Sequence, residues 1–223
     1  SAYSAHGAKK TPRPMLLDRL LHWRSNHGYG VHSPFAFSFI TTVLRDPGCA
    51  FYAYGRLGKL KFESRTIARL LLRTAAAFNP REALIIGEAT DSADAPLLLH
   101  DSRTRLVVSE TVATSGIAPD KVTRAATFAR ALALYGERLD TAGAFPFIVA
   151  GGLTAGESSM LAGFIRSRRF RQAVVIFRQP RLTPGRTEII AAMHPHVMKF
   201  SDRRLTVAVS RPDLPSQNFR IGL

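Results

Sequence analysis

From residue 82 onward the chain alternates short apolar runs with longer stretches of helical period, and this alternation limits the fold more than any other feature. The runs at 83–87 (ALIIG), 105–109 (RLVVS), 147–150 (FIVA) and 173–177 (AVVIF) are four to six residues long and rich in β-branched side chains. Runs of this length without polar interruption read as strands buried on both faces. Helical segments at 92–100, 119–129, 156–169 and 184–193 separate them, and a further apolar run at 131–135 (ALALY) reads as a third strand in chain order. Strands joined through helices imply right-handed crossovers and a mostly parallel sheet. The last two runs, 197–200 and 205–210, have only a short turn between them, which predicts an antiparallel hairpin at the sheet edge. The expected fold class is α/β, doubly wound, with ligands bound outside the carboxyl ends of the strands.

Ahead of this core, residues 1–14 are small, polar and basic and read as a disordered lead-in. Residues 15–80 read as an N-terminal helical extension, and 81–223 as the α/β domain. An amphipathic pattern at 15–23 predicts a short helix, which Gly28 and Gly30 interrupt. Ser33 followed by Pro34 is a helix-start signal, Ser as cap and Pro at the first helical position. A longer helix is expected from about residue 63 to residue 78, ended by Asn79-Pro80. Phe51, Tyr52 and Tyr54 form an aromatic knot between the two.

Composition excludes several classes. An apolar fraction of 46% and a charged fraction of 21% are those of a globular chain, not a disordered one. No apolar run approaches the ~18 residues of a membrane-spanning helix, and no signal-peptide pattern opens the chain. The one cysteine, Cys49, cannot form an internal disulfide, which fits a reducing, cytoplasmic setting. Lys and Arg number 31 against 16 acids, a net charge of +15. Such an excess favours a polyanionic partner such as RNA, or it is simply carried on solvated faces. The densest cluster is Arg166, Arg168, Arg169 and Arg171.

Alternating strand–helix units closed by an antiparallel hairpin resemble the class I S-adenosylmethionine-dependent methyltransferases. GYGVHSPFAFSFI at 28–40, FYAYGRL at 51–57 and RPDLPSQNFRIGL at 211–223 resemble a bacterial group within that superfamily. The resemblance implies a Rossmann-like sheet, S-adenosylmethionine as cofactor, and methyl transfer to an acceptor that the sequence does not name. In this superfamily the first strand runs into an E-x-G-x-x-x-G turn. Laid on this chain, the acidic position is Ile85, the first glycine is Gly87 and the later glycine falls at Asp91. The cofactor loop is therefore divergent, with Glu88 as a neighbouring carboxylate.

Glu110, after the second strand, stands where the superfamily holds the cofactor's ribose hydroxyls; the other reading is an exposed strand-end glutamate. Ala150, at the end of the fourth strand, stands where an acid is usual, and Arg178 follows the fifth. A hard cation needs several oxygen ligands, so no metal site is expected. The two histidines of His194-Pro195-His196 lack carboxylate partners and helical spacing, and are not read as a metal pair. Candidate catalytic bases are His32, if the N-terminal segment folds over the site, and Asp91. The alternatives to an active enzyme are a catalytically inactive methyltransferase-like scaffold and a basic RNA-binding module. Oligomeric state has no signature in the chain.

Overall fold

A computed structural model describes residues 33–45, 53–57, 65–88, 94–101, 103–109 and 119–221. The helix expected at 15–23, the Phe51–Tyr52 part of the aromatic knot, Cys49, His32, Asp91 and Glu110 lie outside the described residues.

Eight strands form one sheet: β1 (Glu82–Ile86), β2 (Arg105–Ser109), β3 (Val122–Ala125), β4 (Phe147–Gly151), β5 (Ala173–Arg178), β6 (Val197–Ser201), β7 (Leu205–Ser210) and β8 (Gln217–Arg220). Their order is β3-β2-β1-β4-β5-β7-β6-β8. All neighbours are parallel except the two pairs made by β7. The fold is the α/β, doubly wound sheet that the alternation predicts, Rossmann-like as the resemblance implies.

Both faces of the sheet are covered, and side-chain alternation along each strand divides the core in two. Ala83, Ile85, Phe147, Val149, Val174 and Ile176 join one cluster, with residues of α1 (Pro34–Ser38), a π-helical turn (Phe39–Leu44) and α3 (Arg65–Phe78). Leu84, Ile86, Ile148, Ala150, Val175 and Phe177 join the other. There they meet α5 (Phe128–Ala142), α6 (Ala155–Arg168) and α7 (Arg186–Ala192). The shorter α2 (Ala53–Leu57) packs on α3, and α4 (Asp94–His100) also lies against it.

Local signals explain most boundaries. Ser33 caps α1, accepting a hydrogen bond from the Ala36 N–H, with Pro34 following. Arg73 of α3 donates to the carbonyls of Val43 and Leu44, satisfying acceptors at the end of the π-helical turn. Among the described residues no helix is long and apolar enough to cross a membrane.

Three elements differ from the sequence reading. The run at 131–135 is not a strand; it lies inside α5. Ala131, Leu132, Tyr135 and Leu139 are its buried positions, a helical period, and Thr127 caps it by accepting from the Arg130 N–H. The third strand is Val122–Ala125, placed within the helix expected at 119–129. It is an edge strand, so only its last residue is buried and the apolar run expected of an inner strand is missing.

The hairpin is real but is not at the edge. β7 inserts between β5 and β6, and β8 adds outside β6. β8 carries a single apolar ring, Phe219, which stacks on Phe200 with centroids 5.2 Å apart. One ring in four residues gives no hydrophobic alternation for a sequence to display.

Candidate functional site

The strand order reverses direction of growth between β1 and β4. In a doubly wound sheet the crevice outside the carboxyl ends of such a pair is the usual ligand site. Here Gly87 directly follows β1 and Gly151 ends β4. Gly87 has φ +92°, and a Cβ placed on it would lie 1.9 Å from the Gly151 carbonyl oxygen and 3.0 Å from Leu153 Cδ2. Gly152 follows with φ +70°. Glycine is therefore demanded at 87 twice, by a backbone conformation that L side chains rarely adopt and by contact with the neighbouring turn.

The floor beyond Gly152 is built by β4 and α6. Leu153 is fully buried, and its N–H donates to Thr183 Oγ1 at 3.4 Å. Thr154 caps α6 in a reciprocal box: its Oγ1 accepts from the Glu157 N–H at 3.2 Å, while Glu157 Oε2 accepts from the Thr154 N–H at 2.8 Å. This box satisfies N-terminal amides that would otherwise lack partners and sets the direction in which α6 leaves the crevice.

The sequence-predicted residues distribute as follows. Gly87 lies at the switch point. Glu88 is exposed in the turn directly after it. Ala150 is buried and pairs with Ile86 on one side and Phe177 on the other. Its methyl group belongs to the apolar core, so only its backbone can serve a ligand.

Arg178 ends β5 and pairs with Gly151 of β4 and Leu205 of β7. It is 1% exposed and is among the largest buried side chains of the molecule. A guanidinium thus sits at the carboxyl edge where carboxylates would be needed to hold a hard cation. From sequence alone Arg178 marks only a place where an acid is usual. Its burial had a signal, since the residue continues an uninterrupted apolar run.

Elsewhere, the His194 and His196 rings stack with centroids 5.3 Å apart, and His194 Nδ1 accepts from the His196 N–H at 3.2 Å. Both serve a local turn before β6. The arginine cluster of α6 is partly committed to structure. Arg168 pairs with Asp140 at 2.6 Å and lies over the Phe164 ring. Its guanidinium covers Gly136 of α5, where a Cβ would come 2.5 Å from Nη2.

No family model matches the chain, and no curated protein matches it. Among solved structures the chain is similar to the O-methyltransferase from Bacillus cereus solved in complex with SAH, at 17% identity and a TM-score of 0.45, covering 89% of this chain and 100% of that one. It is also similar to cofactor-bound Rv0187 from MTB, at 17% identity and a TM-score of 0.45, covering 91% and 99%. The SAH-bound methyltransferase PaMTH1 from Podospora anserina gives 13% identity and a TM-score of 0.44, covering 93% and 100%. These likenesses are distant.

Proposed function

We propose that the chain is an S-adenosylmethionine-dependent methyltransferase whose cofactor lies across the carboxyl edge at β1 and β4. The observation that carries this reading is the closure of Gly87 on Gly151 at the switch point of the sheet. It leaves the chain without a side chain at the turn where a nucleoside must approach the backbone. Bound there, the cofactor supplies an electrophilic sulfonium methyl group.

The protein's part is mainly positioning. Gly87 and the Gly151-Gly152 turn shape the crevice, and Glu88 places a carboxylate at its rim. Glu110 accepts hydrogen bonds from the ribose hydroxyls, as the resemblance implies. The proposed reaction uses no metal, because β4 ends in Gly151-Gly152 and β5 in Arg178-Gln179, without the carboxylates a hard cation requires.

Calorimetric titration with S-adenosylmethionine and S-adenosylhomocysteine tests the reading. Micromolar binding that Glu110→Ala weakens about tenfold supports it; about 1.4 kcal/mol is the corresponding loss. A folded protein that takes up neither ligand overturns it and favours the inactive scaffold.

A further inference from the structure

A second concavity lies at the opposite, amino edge of the sheet, far from the glycine turns. It encloses about 560 Å³ between the starts of β1 and β2 and the last turn of α5. Its walls differ in chemistry. Arg81, Arg103 and Arg105 stand on the strand side. Glu82 joins them as the first residue of β1, and Glu137, Arg138, Thr141 and Ala142 line the cleft from the last turns of α5.

The polar groups are unequally satisfied. Arg103 is held by Asp101, with Nη2 3.0 Å from Oδ2. Arg138 Nη2 donates to Thr123 Oγ1 at 2.7 Å. Its Nη1 lies 3.5 Å from Glu82 Oε2, yet both atoms are buried and neither makes a hydrogen bond. The Glu82 side chain is only 7% exposed. An ion pair this long leaves both partners short of the contacts that offset their desolvation, so the carboxylate keeps acceptor capacity for a ligand N–H. Arg81, just before β1, and Arg105, at the start of β2, are exposed, with the Arg105 N–H bonded to the Arg81 carbonyl at 2.9 Å. That bond places the two residues side by side at the rim.

We infer that this cleft binds a nucleotide, free or within an RNA strand, with its phosphate on Arg81 and Arg105 and an amino group of its base on Glu82. The volume falls in the range of small-ligand sites. Guanidinium groups take phosphate bidentately and stack on planar rings, which suits both halves of such a ligand. Carboxylates accept from base amino groups, as in the recognition of cytosine N4. The net charge of +15 draws phosphate-bearing partners towards the protein. This site is separate from the proposed cofactor crevice, so the two readings can fail independently.

Calorimetric titration of the whole chain with AMP, CMP, GMP and UMP tests the assignment, with cytidine and inorganic phosphate as controls. At least one of the three amino-bearing monophosphates binds, and UMP, cytidine and phosphate each bind about tenfold more weakly or not at all. The double substitution Arg81→Ala and Arg105→Ala removes that binding while leaving thermal melting and S-adenosylmethionine titration unchanged. Glu82→Gln levels the monophosphate that binds against UMP.

A short 5′-phosphorylated RNA separates the two sources. Binding by RNA alone, weakened by the double substitution with a salt slope lower by about 2, places the nucleotide in a strand; binding by monophosphates identifies a free nucleotide. The inference is overturned if neither monophosphates nor RNA bind the folded chain. It is equally overturned if the double substitution leaves binding intact, or if inorganic phosphate binds as well as the nucleotides.

Discussion

The carbonyl oxygen of Gly151 occupies the space where a Cβ on Gly87 would stand, 1.9 Å from its ideal position. Two turns from strands more than sixty residues apart in the chain therefore close on each other with no side chain between them. Gly87→Ala has to move the β4 turn and also hold alanine at φ +92°. The expected cost is at least ~2 kcal/mol, above the usual penalty for a left-handed residue. Urea unfolding measures it, as a lower midpoint at unchanged slope. A midpoint equal to that of the parent would show that the turns are not in contact.

Tyr135 ties α5 to β4 through the strand's first residue. Its hydroxyl accepts from the Phe147 N–H at 2.7 Å and donates to the Phe147 carbonyl at 3.1 Å, with the ring fully buried. Tyr135→Phe keeps the ring and strands both backbone groups without water. A loss of about 1–3 kcal/mol is expected, because the remaining partners are buried and unsatisfied. Denaturant unfolding reads this directly, and a change within ±0.5 kcal/mol contradicts the assignment.

Thr154→Ala breaks the capping box of α6 from one side, leaving the Glu157 N–H without its acceptor. The expected cost is about 1 kcal/mol, a fall of roughly 2–4 °C in melting temperature for a chain of this size. Thr154→Ser retains the hydroxyl and recovers most of the loss. Differential scanning calorimetry of the pair separates the cap from a general packing effect.

Glu82 has a pH signature of definite sign. Burial raises its pKa above the ordinary 4.5, against the opposing attraction of Arg138 and Arg105. The folded state then binds the proton more tightly than the unfolded state does. Its contribution to stability is greatest below 4.5 and falls as pH rises through the folded pKa. Relative to Glu82→Gln, which stays neutral, the parent loses stability across that window and levels off above it. Urea midpoints of both proteins at several pH values give the difference. A parent that gains on the variant as pH rises would mean that the arginines outweigh desolvation.

His100 behaves in the opposite sense. Desolvation lowers its pKa from 6.5, against a contact with the Leu97 carbonyl and the charge of Asp101. The folded state disfavours the imidazolium, so stability is complete above 6.5 and declines as pH falls through the folded pKa. His100→Gln is expected to remove that acid-side decline. NMR titration of the ring checks the direction independently.

The strands at the centre of the sheet were legible for a plain reason. β1, β4 and β5 are buried on both faces, so apart from the charged ends Glu82 and Arg178 they are apolar throughout, and a continuous apolar run survives any uncertainty about register. Ser33-Pro34 was legible because a cap is local chemistry. The run at 131–135 misled because four of its five residues are Ala or Leu, which serve a buried helix face as well as a strand. β3 and β8 were hidden because an edge strand buries little, and its pairing comes from backbone groups that every residue carries.

The amino-acid sequence by itself determined the α/β class, the four inner parallel strands apart from their order, the antiparallel pair β6 and β7, and the glycine at the end of β1. These rest on periodicity and on conformational demands felt within a few residues. Only the tertiary structure decided that Gly87 meets Gly151, that Arg178 is buried between β4 and β7, and that Arg81 and Arg105 share a cleft with Arg138 of α5. Each of these joins residues from different strands or helices. Strand order is set by crossovers and by total burial over the whole sheet, and no local run of residues carries that information.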